Sequence, residues 1–322
     1  MNPLVLSETQ IRAGADLTPA AMQAVAEGFM QLSAGKVNLP AVLRIDFPEI
    51  QGEVDVKTAV VQGWNSFAIK VASGFLQNSS QGLPTGNGLM LLISALTGQP
   101  QAVLLDNGYL TDLRTALAGA LAAQVLAPQN PIVGVVGSGM QARYQIRALQ
   151  LVRSFQELHV YGIDAQSVNA YAQDMTKELG IPVTVHEHPR SLVEQCTLVV
   201  TTTPSRLPYL KASWLHSGLH ITSMGADAPH KQELDAEVFQ QLDIIACDAR
   251  KQCAQLGELY HALQQGVLPN LSSVRELGEL LAGRYPGRTT AGQITLCELT
   301  GVGVQDTAIA RYVVDQVVQQ SS

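Results

Sequence analysis

Ile132-Val133-Gly134-Val135-Val136-Gly137-Ser138-Gly139-Met140-Gln141-Ala142 reads as a buried strand, a glycine turn and the opening of a helix. In that arrangement backbone N–H groups at a helix N-terminus can meet a pyrophosphate. A dinucleotide is therefore the first cofactor to expect. The pattern Gly137-x-Gly139-x-x-Ala142 is weak by itself. Its meaning comes from the Ile/Val strand before it and the helical segment after it. About 130 residues precede the stretch and must do something else.

Downstream, strands alternate with helices. Strands are expected at 132–136, 158–161, 183–185, 198–201, 219–222 and 243–246, with helices over 140–151 and 165–179. Six strands with helical crossovers predict a Rossmann-type, doubly wound parallel sheet. Upstream, Thr18 and Pro19 open an amphipathic helix that ends at Gly35. Alternating strands follow at 42–45, 53–61, 67–72, 88–94 and 101–106, then an alanine-rich helix over 111–126. That is an α+β unit with a mostly antiparallel sheet. The helical tail over 307–319 would return to it. The expected division is 1–126 with 301–322 for the first domain and 127–300 for the dinucleotide-binding domain.

The chain has 322 residues, enough for one large domain or two ordinary ones. It is 46% hydrophobic and 15% charged, which describes a well-buried globular protein. A formal net charge of −7 argues against nucleic acid or an anionic membrane as partner. Cys196, Cys247, Cys253 and Cys297 lack metal-type spacing and read as reduced thiols. His186 and His188 flank Glu187 without an evident third ligand, so no metal is expected. No signal peptide or membrane-length apolar run is read, and the expected compartment is the cytoplasm.

Several polar residues stand out from their surroundings. Lys70 lies in an apolar strand and is either solvent-facing or a held charge with a task. Arg114 sits in the first turn of a helix, where a cation opposes the helix dipole unless an anion binds beside it. Asp227 follows the fifth strand of the second half, where ligands of open α/β sheets bind; it could equally be a turn aspartate before Pro229. Glu53, Asp55 and Lys57 share one face of a strand, either solvated or lining a pocket. Asp164 follows the second strand of the dinucleotide half. It could receive an adenosine ribose, which favours NAD, or cap the next helix.

Taken in order, these positions resemble the ornithine cyclodeaminase/μ-crystallin family over essentially the whole chain. The resemblance rests on Lys70 in its strand, Gln81-Gly82-Leu83-Pro84-Thr85 and Leu110-Thr111-Asp112-Leu113-Arg114-Thr115-Ala116. It continues through Gly137-Ser138-Gly139-Met140-Gln141-Ala142, Gly225-Ala226-Asp227-Ala228-Pro229-His230-Lys231 and Gly301-Val302-Gly303-Val304-Gln305-Asp306. Gly52–Lys57 and Leu105–Asp112 look most like its ectoine-utilisation branch.

The resemblance implies that Arg44, Lys70 and Arg114 surround a substrate carboxylate, with Val302 lining the same pocket; if the polar face of the 53–57 strand lines it too, Asp55 could receive a second amino or hydroxyl group of the substrate. It implies Thr85, Gly137, Ser138, Gly139, Met140, Gln141, Thr202, Ser223, Met224, Gly225, Lys231 and Arg114 beside the cofactor. Asp227 would be the acid/base, assisted by Lys70, and the first domain's sheet would join a homodimer. Gly162 and Ile163 stand where family members place cofactor-selective residues, so NADP stays open beside NAD. The implied function is NAD(P)-dependent hydride exchange at a carbon bearing nitrogen next to a carboxylate, on an amino- or imino-acid substrate. Cyclodeamination and imine reduction lead. An alanine dehydrogenase-like activity and a non-enzymatic cofactor-binding protein are the alternatives.

Overall fold

The structure is a computed structural model that describes residues 3–320. The chain divides into two compact units, Met1–Thr115 with Val302–Ser322, and Ala116–Gly301. The expected first boundary, at 126, falls at the end of one continuous helix. The division lies inside that helix, because its second half packs with the dinucleotide-type unit.

The first unit opens with strand β1 (Leu4–Ser7), helix α1 (Glu8–Gly14) and helix α2 (Pro19–Ser33). Helix α2 starts where the sequence says it should. The Thr18 side chain accepts from Ala21 N at 3.2 Å and Pro19 takes the first helical position. Gly35, at φ 74°, turns the chain out of it. Strands β2 (Val37–Asn38), β3 (Leu43–Phe47), β4 (Gly52–Val61), β5 (Ser66–Phe75), β6 (Gly86–Ser94) and β7 (Pro100–Leu105) follow, then helix α3 (Tyr109–Leu126). The sheet runs β1-β7-β6-β5-β4-β2, with β3 also on β4. All pairs are antiparallel except β1 with β7. Strands β1 and β2 were not expected; at four and two residues they are too short to show a period.

The register sorts side chains onto two faces. One carries Lys57, Ala59, Ala68, Lys70, Met90, Leu92 and Leu104, all buried. The other carries Leu43, Ile45, Phe47, Val54, Val56, Val71, Leu89 and Val103 and is only partly covered.

The second unit contains β8 (Val133–Val136), α4 (Met140–Leu149), β9 (Leu158–Tyr161), α5 (Ala165–Leu179), β10 (Val183–Val185), α6 (Pro189–Gln195), β11 (Leu198–Thr201), β12 (His220–Ser223) and β13 (Ile244–Cys247). Short helices α7 (Arg250–Cys253) and α8 (Glu258–Gln264), strand β14 (Arg275–Glu276), helix α9 (Leu277–Leu281) and strand β15 (Thr295–Glu298) complete it. The eight strands are parallel, in the order β10-β9-β8-β11-β12-β15-β13-β14. Six were expected. The sequence hides β15 because four residues, Thr-Leu-Cys-Glu, have two polar ends, and β14 because it has two residues.

The chain then returns to the first unit as helix α10 (Gly303–Gln320), which packs on α2, β4 and β5. Gly303 lets it approach closely, since a Cβ there would lie 2.3 Å from Thr58 O. Thr307 ties it to the sheet: its Oγ1 accepts from Ala68 N at 3.0 Å and donates to Ala59 O at 2.9 Å. Among the described residues no helix is long and apolar enough to cross a membrane.

Removing the Thr307 hydroxyl leaves a buried backbone N–H and C=O without their partner. Thr307→Val should destabilise the protein by about 1–3 kcal/mol. Urea denaturation measures this; an unchanged midpoint would contradict the tie.

Candidate active site

In the first unit, Lys70 is not the solvent-facing lysine its strand allowed. It is 1% exposed, on the β5 face that receives α10. Its Nζ lies 3.1 Å from Asp306 Oδ1, and Arg114 Nε lies 3.0 Å from the same oxygen. Arg114 projects from the second turn of α3, and Asp306 from the first turn of α10. A single carboxylate thus holds two cations that lie 44 positions apart in sequence. Gln305 braces the group: its Oε1 accepts from Arg114 Nη1 at 3.5 Å and from Val302 N at 2.9 Å. Val302 is fully buried at this turn.

Lys57, 7% exposed, is the direct cross-strand neighbour of Lys70 and brings a third cation to this face. Burial, then the charge of Arg114, pull the Lys70 pKa down to about 7, against the opposing pull of Asp306. Asp106 sits close enough to feel Lys70. Its Oδ2 receives Leu110 N at 2.7 Å and so caps α3, while its Oδ1 is buried without a hydrogen-bond partner. Burial raises the Asp106 pKa to about 6. Such a site suits an anion, whose arrival would restore charge to Lys70.

Arg44 lies on the same sheet face, opposite Asp55. It is engaged by Glu53, by Asp46 at 2.9 Å and by Asp55 at 3.4 Å. Ala72 and Gly74 stand opposite Asp55 and Glu53 on β5, and Gly88 and Gly86 follow on β6, so small residues separate Arg44 from Lys70. Register places the two about 12 Å apart, two strands across and two residues along. Arg44 therefore joins the carboxylates, while Lys70 and Arg114 join Asp306. Thr85 is exposed in the β5–β6 connection, its carbonyl accepting from Phe75 N at 2.7 Å.

In the second unit, register aligns Val136, Tyr161, Thr201, Ser223 and Glu298 at one carboxyl edge. Gly137, Gly162, Thr202 and Met224 follow directly beyond it. The strand order reverses beside β8, with β9 on one side and β11 on the other, which is where ligands of such sheets bind. Gly137 has φ 114°, and a Cβ there would lie 2.4 Å from Thr202 Oγ1. Gly139 precedes α4 without a side-chain cap and faces open space. Ser138, Met140 and Gln141 surround this uncapped helix start, and Met140 is 57% exposed. Uncapped amides, a strained glycine and open space fit a pyrophosphate. Ser223 Oγ, at the same edge, is buried without a hydrogen-bond partner.

Asp164 caps α5. Its Oδ2 receives Ser167 N at 2.9 Å and also the Ser167 hydroxyl. This is the second of its two sequence readings. Asp227 is one-third exposed, and Lys231 Nζ lies 2.7 Å from its Oδ1, so Lys231 meets a carboxylate here. His186 pairs with His159 at 2.7 Å, and among the described residues no three His, Cys, Asp or Glu side chains are placed to hold a metal. The four cysteines are buried and free.

Asp306 and Asp106 were not singled out as site residues in the sequence. Both lie in stretches that carried the family resemblance, but only the fold puts them against Lys70.

The chain belongs to the ornithine cyclodeaminase/mu-crystallin family, whose profile it matches over residues 1–321. It is 46% identical to a putative dehydrogenase of Rhizobium meliloti, covering 95% of this chain and 93% of that one. Its fold matches Δ1-pyrroline-2-carboxylate reductase of Thermococcus litoralis in complex with NADH and L-proline, with TM-score 0.91, 26% identity and coverage of 99% and 98%. It matches an archaeal alanine dehydrogenase dimer with bound NAD at TM-score 0.88 and 32% identity, with coverage of 100% and 98%.

Replacing Asp106 tests the electrostatics. Its folded pKa lies above the ordinary 3.8, so the stability it contributes is complete below about pH 4 and lost as pH rises through about 6. Asn keeps the acceptor for Leu110 N and cannot ionise. The stability of Asp106→Asn relative to wild type should therefore rise by about 2 kcal/mol between pH 4 and pH 7. Urea midpoints across that range measure it; a pH-independent difference would contradict the burial argument.

Proposed function

We propose that the protein is an NAD-dependent oxidoreductase of amino and imino acids that exchanges hydride at a carbon bearing nitrogen and adjacent to a carboxylate. The observation that carries this reading is the buried pair Lys70 and Arg114 on Asp306, with Lys57 as a third cation. A substrate carboxylate is the natural anion for it. The uncapped start of α4 and the Gly137 turn support dinucleotide binding. The NADH- and NAD-bound relatives favour NAD over NADP. The bound nicotinamide would supply or accept the hydride.

The chain's own residues then have separable tasks. Lys70 and Arg114 bind and orient the carboxylate, which aligns the neighbouring carbon. Lys70, with a pKa of about 7, can hold or give up a proton at working pH. Asp227 hands a proton to the nitrogen during reduction or takes one during oxidation. Lys231 Nζ, 2.7 Å from its Oδ1, holds that carboxyl in place. Thr202 and the Ser223–Gly225 turn border the nicotinamide. The partly covered apolar sheet face around Leu43, Ile45 and Phe47 supports a homodimer joined through the first unit, and the archaeal alanine dehydrogenase relative is itself a dimer.

A second reading, cyclodeamination, draws on Asp46, Glu53 and Asp55. Asp46, Glu53 and Asp55 gather around Arg44 on this face, and carboxylates there suit a substrate with a distal amine. It returns the hydride and expels ammonia, so the two readings differ in cofactor balance.

The protein should be offered Δ1-pyrroline-2-carboxylate, other cyclic ketimines, 2-oxo acids with ammonium, ornithine and 2,4-diaminobutyrate, each with NADH or NAD. The first reading predicts stoichiometric NADH loss with an imine. Ammonia release from a diamino acid with no net NADH would establish the second instead. Asp227→Asn should lower kcat by about 100-fold or more while leaving NADH affinity within a few-fold. Full activity in that variant would remove Asp227 from the mechanism.

A further inference from the structure

Beneath the turn that carries Asp227 lies a run of buried carboxylates that the proposed chemistry does not use. Glu233 is fully buried. Its Oε2 accepts from Gly225 N at 2.9 Å and Thr201 Oγ1 at 2.6 Å. Its Oε1 accepts from Thr203 N and Thr203 Oγ1, both at 2.7 Å, and from Tyr209 OH at 2.9 Å. One carboxylate therefore grips the loop after β11 and the turn after β12.

Glu233 is itself anchored. Its backbone N–H donates to Glu258 Oε1 at 2.7 Å, and Leu234 N donates to Glu258 Oε2 at 3.2 Å. Glu258 N and Leu259 N in turn donate to the two oxygens of Glu298, the last residue of β15. Three carboxylates in series connect the Asp227 turn to the central strands. The packing admits little variation. A Cβ on Gly225 would lie 2.2 Å from Thr203 O and 2.6 Å from Glu233 Cδ. Gly257, at φ 86°, would carry its Cβ 2.0 Å from Glu298 Oε1 and 3.0 Å from Ala226 O.

We propose that Glu233 is a positioning residue whose buried carboxylate fixes the Gly225–Asp227 turn and the Thr203 loop together, and so sets where Asp227 presents its carboxyl. A carboxylate is required because the two groups of donors approach opposite oxygens. A Gln side chain offers one acceptor oxygen. If it serves Thr203 N, its NH2 faces Gly225 N, donor against donor. The turn is then released at the residue two before Asp227. The inference rests on the reading of Asp227 as the proton carrier.

The test uses the full-length protein with NADH and Δ1-pyrroline-2-carboxylate, and amide hydrogen exchange as a readout independent of turnover. Glu233→Gln should lower kcat by about 10- to 100-fold, with NADH affinity within about threefold of wild type. The Gly225 and Thr203 amides should exchange about tenfold faster or more, while the β8 and β11 strand amides keep their protection. Tyr209→Phe removes a single donor and should show a smaller loss of kcat in the same direction.

The double variant Glu233→Gln/Asp227→Asn should be no slower than Asp227→Asn alone, because Glu233 acts through Asp227. Wild-type kcat in Glu233→Gln with unchanged exchange at those amides would overturn the proposal. So would losses that multiply in the double variant, or a lowered melting temperature with no change in kcat. If Asp227→Asn is itself fully active, the acid/base reading fails separately, and the exchange of Gly225 N still decides whether Glu233 holds the turn.

Discussion

Asp306 Oδ1 lies 3.1 Å from Lys70 Nζ and 3.0 Å from Arg114 Nε, and all three side chains are buried. Two desolvated cations, one from the middle of β5 and one from the second turn of α3, could not lie together without a carboxylate between them. That carboxylate comes from α10, the last element of the chain. The first unit is therefore discontinuous for an electrostatic reason as well as a packing one. Thr307, one residue on, pairs with the backbone of β4 and β5, so helix and carboxylate are fixed together. The site is built by closing the chain on itself.

The second unit meets a different constraint. Its parallel register places the ends of β8, β9, β11, β12 and β15 at one edge. Every loop beyond that edge must find partners for its backbone amides away from the sheet ladder. At the start of α4 no side chain caps the helix and the space above Gly139 stays open. Beyond β12 the opposite holds, where Glu233, Glu258 and Glu298 consume the amides in sequence. The same edge thus combines an open, uncapped helix start with a turn held by hydrogen bonds to a buried carboxylate.

Much of this was legible in the sequence. The strand–glycine–helix stretch predicted the doubly wound sheet. Thr18, Pro19 and Gly35 marked α2 to within a residue, and the order of motifs gave the family. What stayed hidden has physical causes. Strands β14 and β15 are too short and polar-ended to carry a period. Asp306 sits in the first turn of a helix, where an acid is ordinary, and only the tertiary fold brings it to Lys70. Glu233 was not singled out, because sequence carries no sign of burial for a lone acid. Asp164 remained ambiguous until its carboxylate was found on Ser167.

The proposed function comes down to one chemical statement: the carbon that exchanges hydride bears nitrogen and stands next to a carboxylate held by Lys70 and Arg114. Isotope transfer tests it most directly. NADH deuterated at C4 should be incubated with the protein and Δ1-pyrroline-2-carboxylate, other cyclic ketimines, and 2-oxo acids with ammonium. The amino acid products can then be examined by mass spectrometry and NMR. The account predicts deuterium at the α-carbon of the product. Deuterium at another carbon, or no labelled amino acid from any of these substrates, would contradict it.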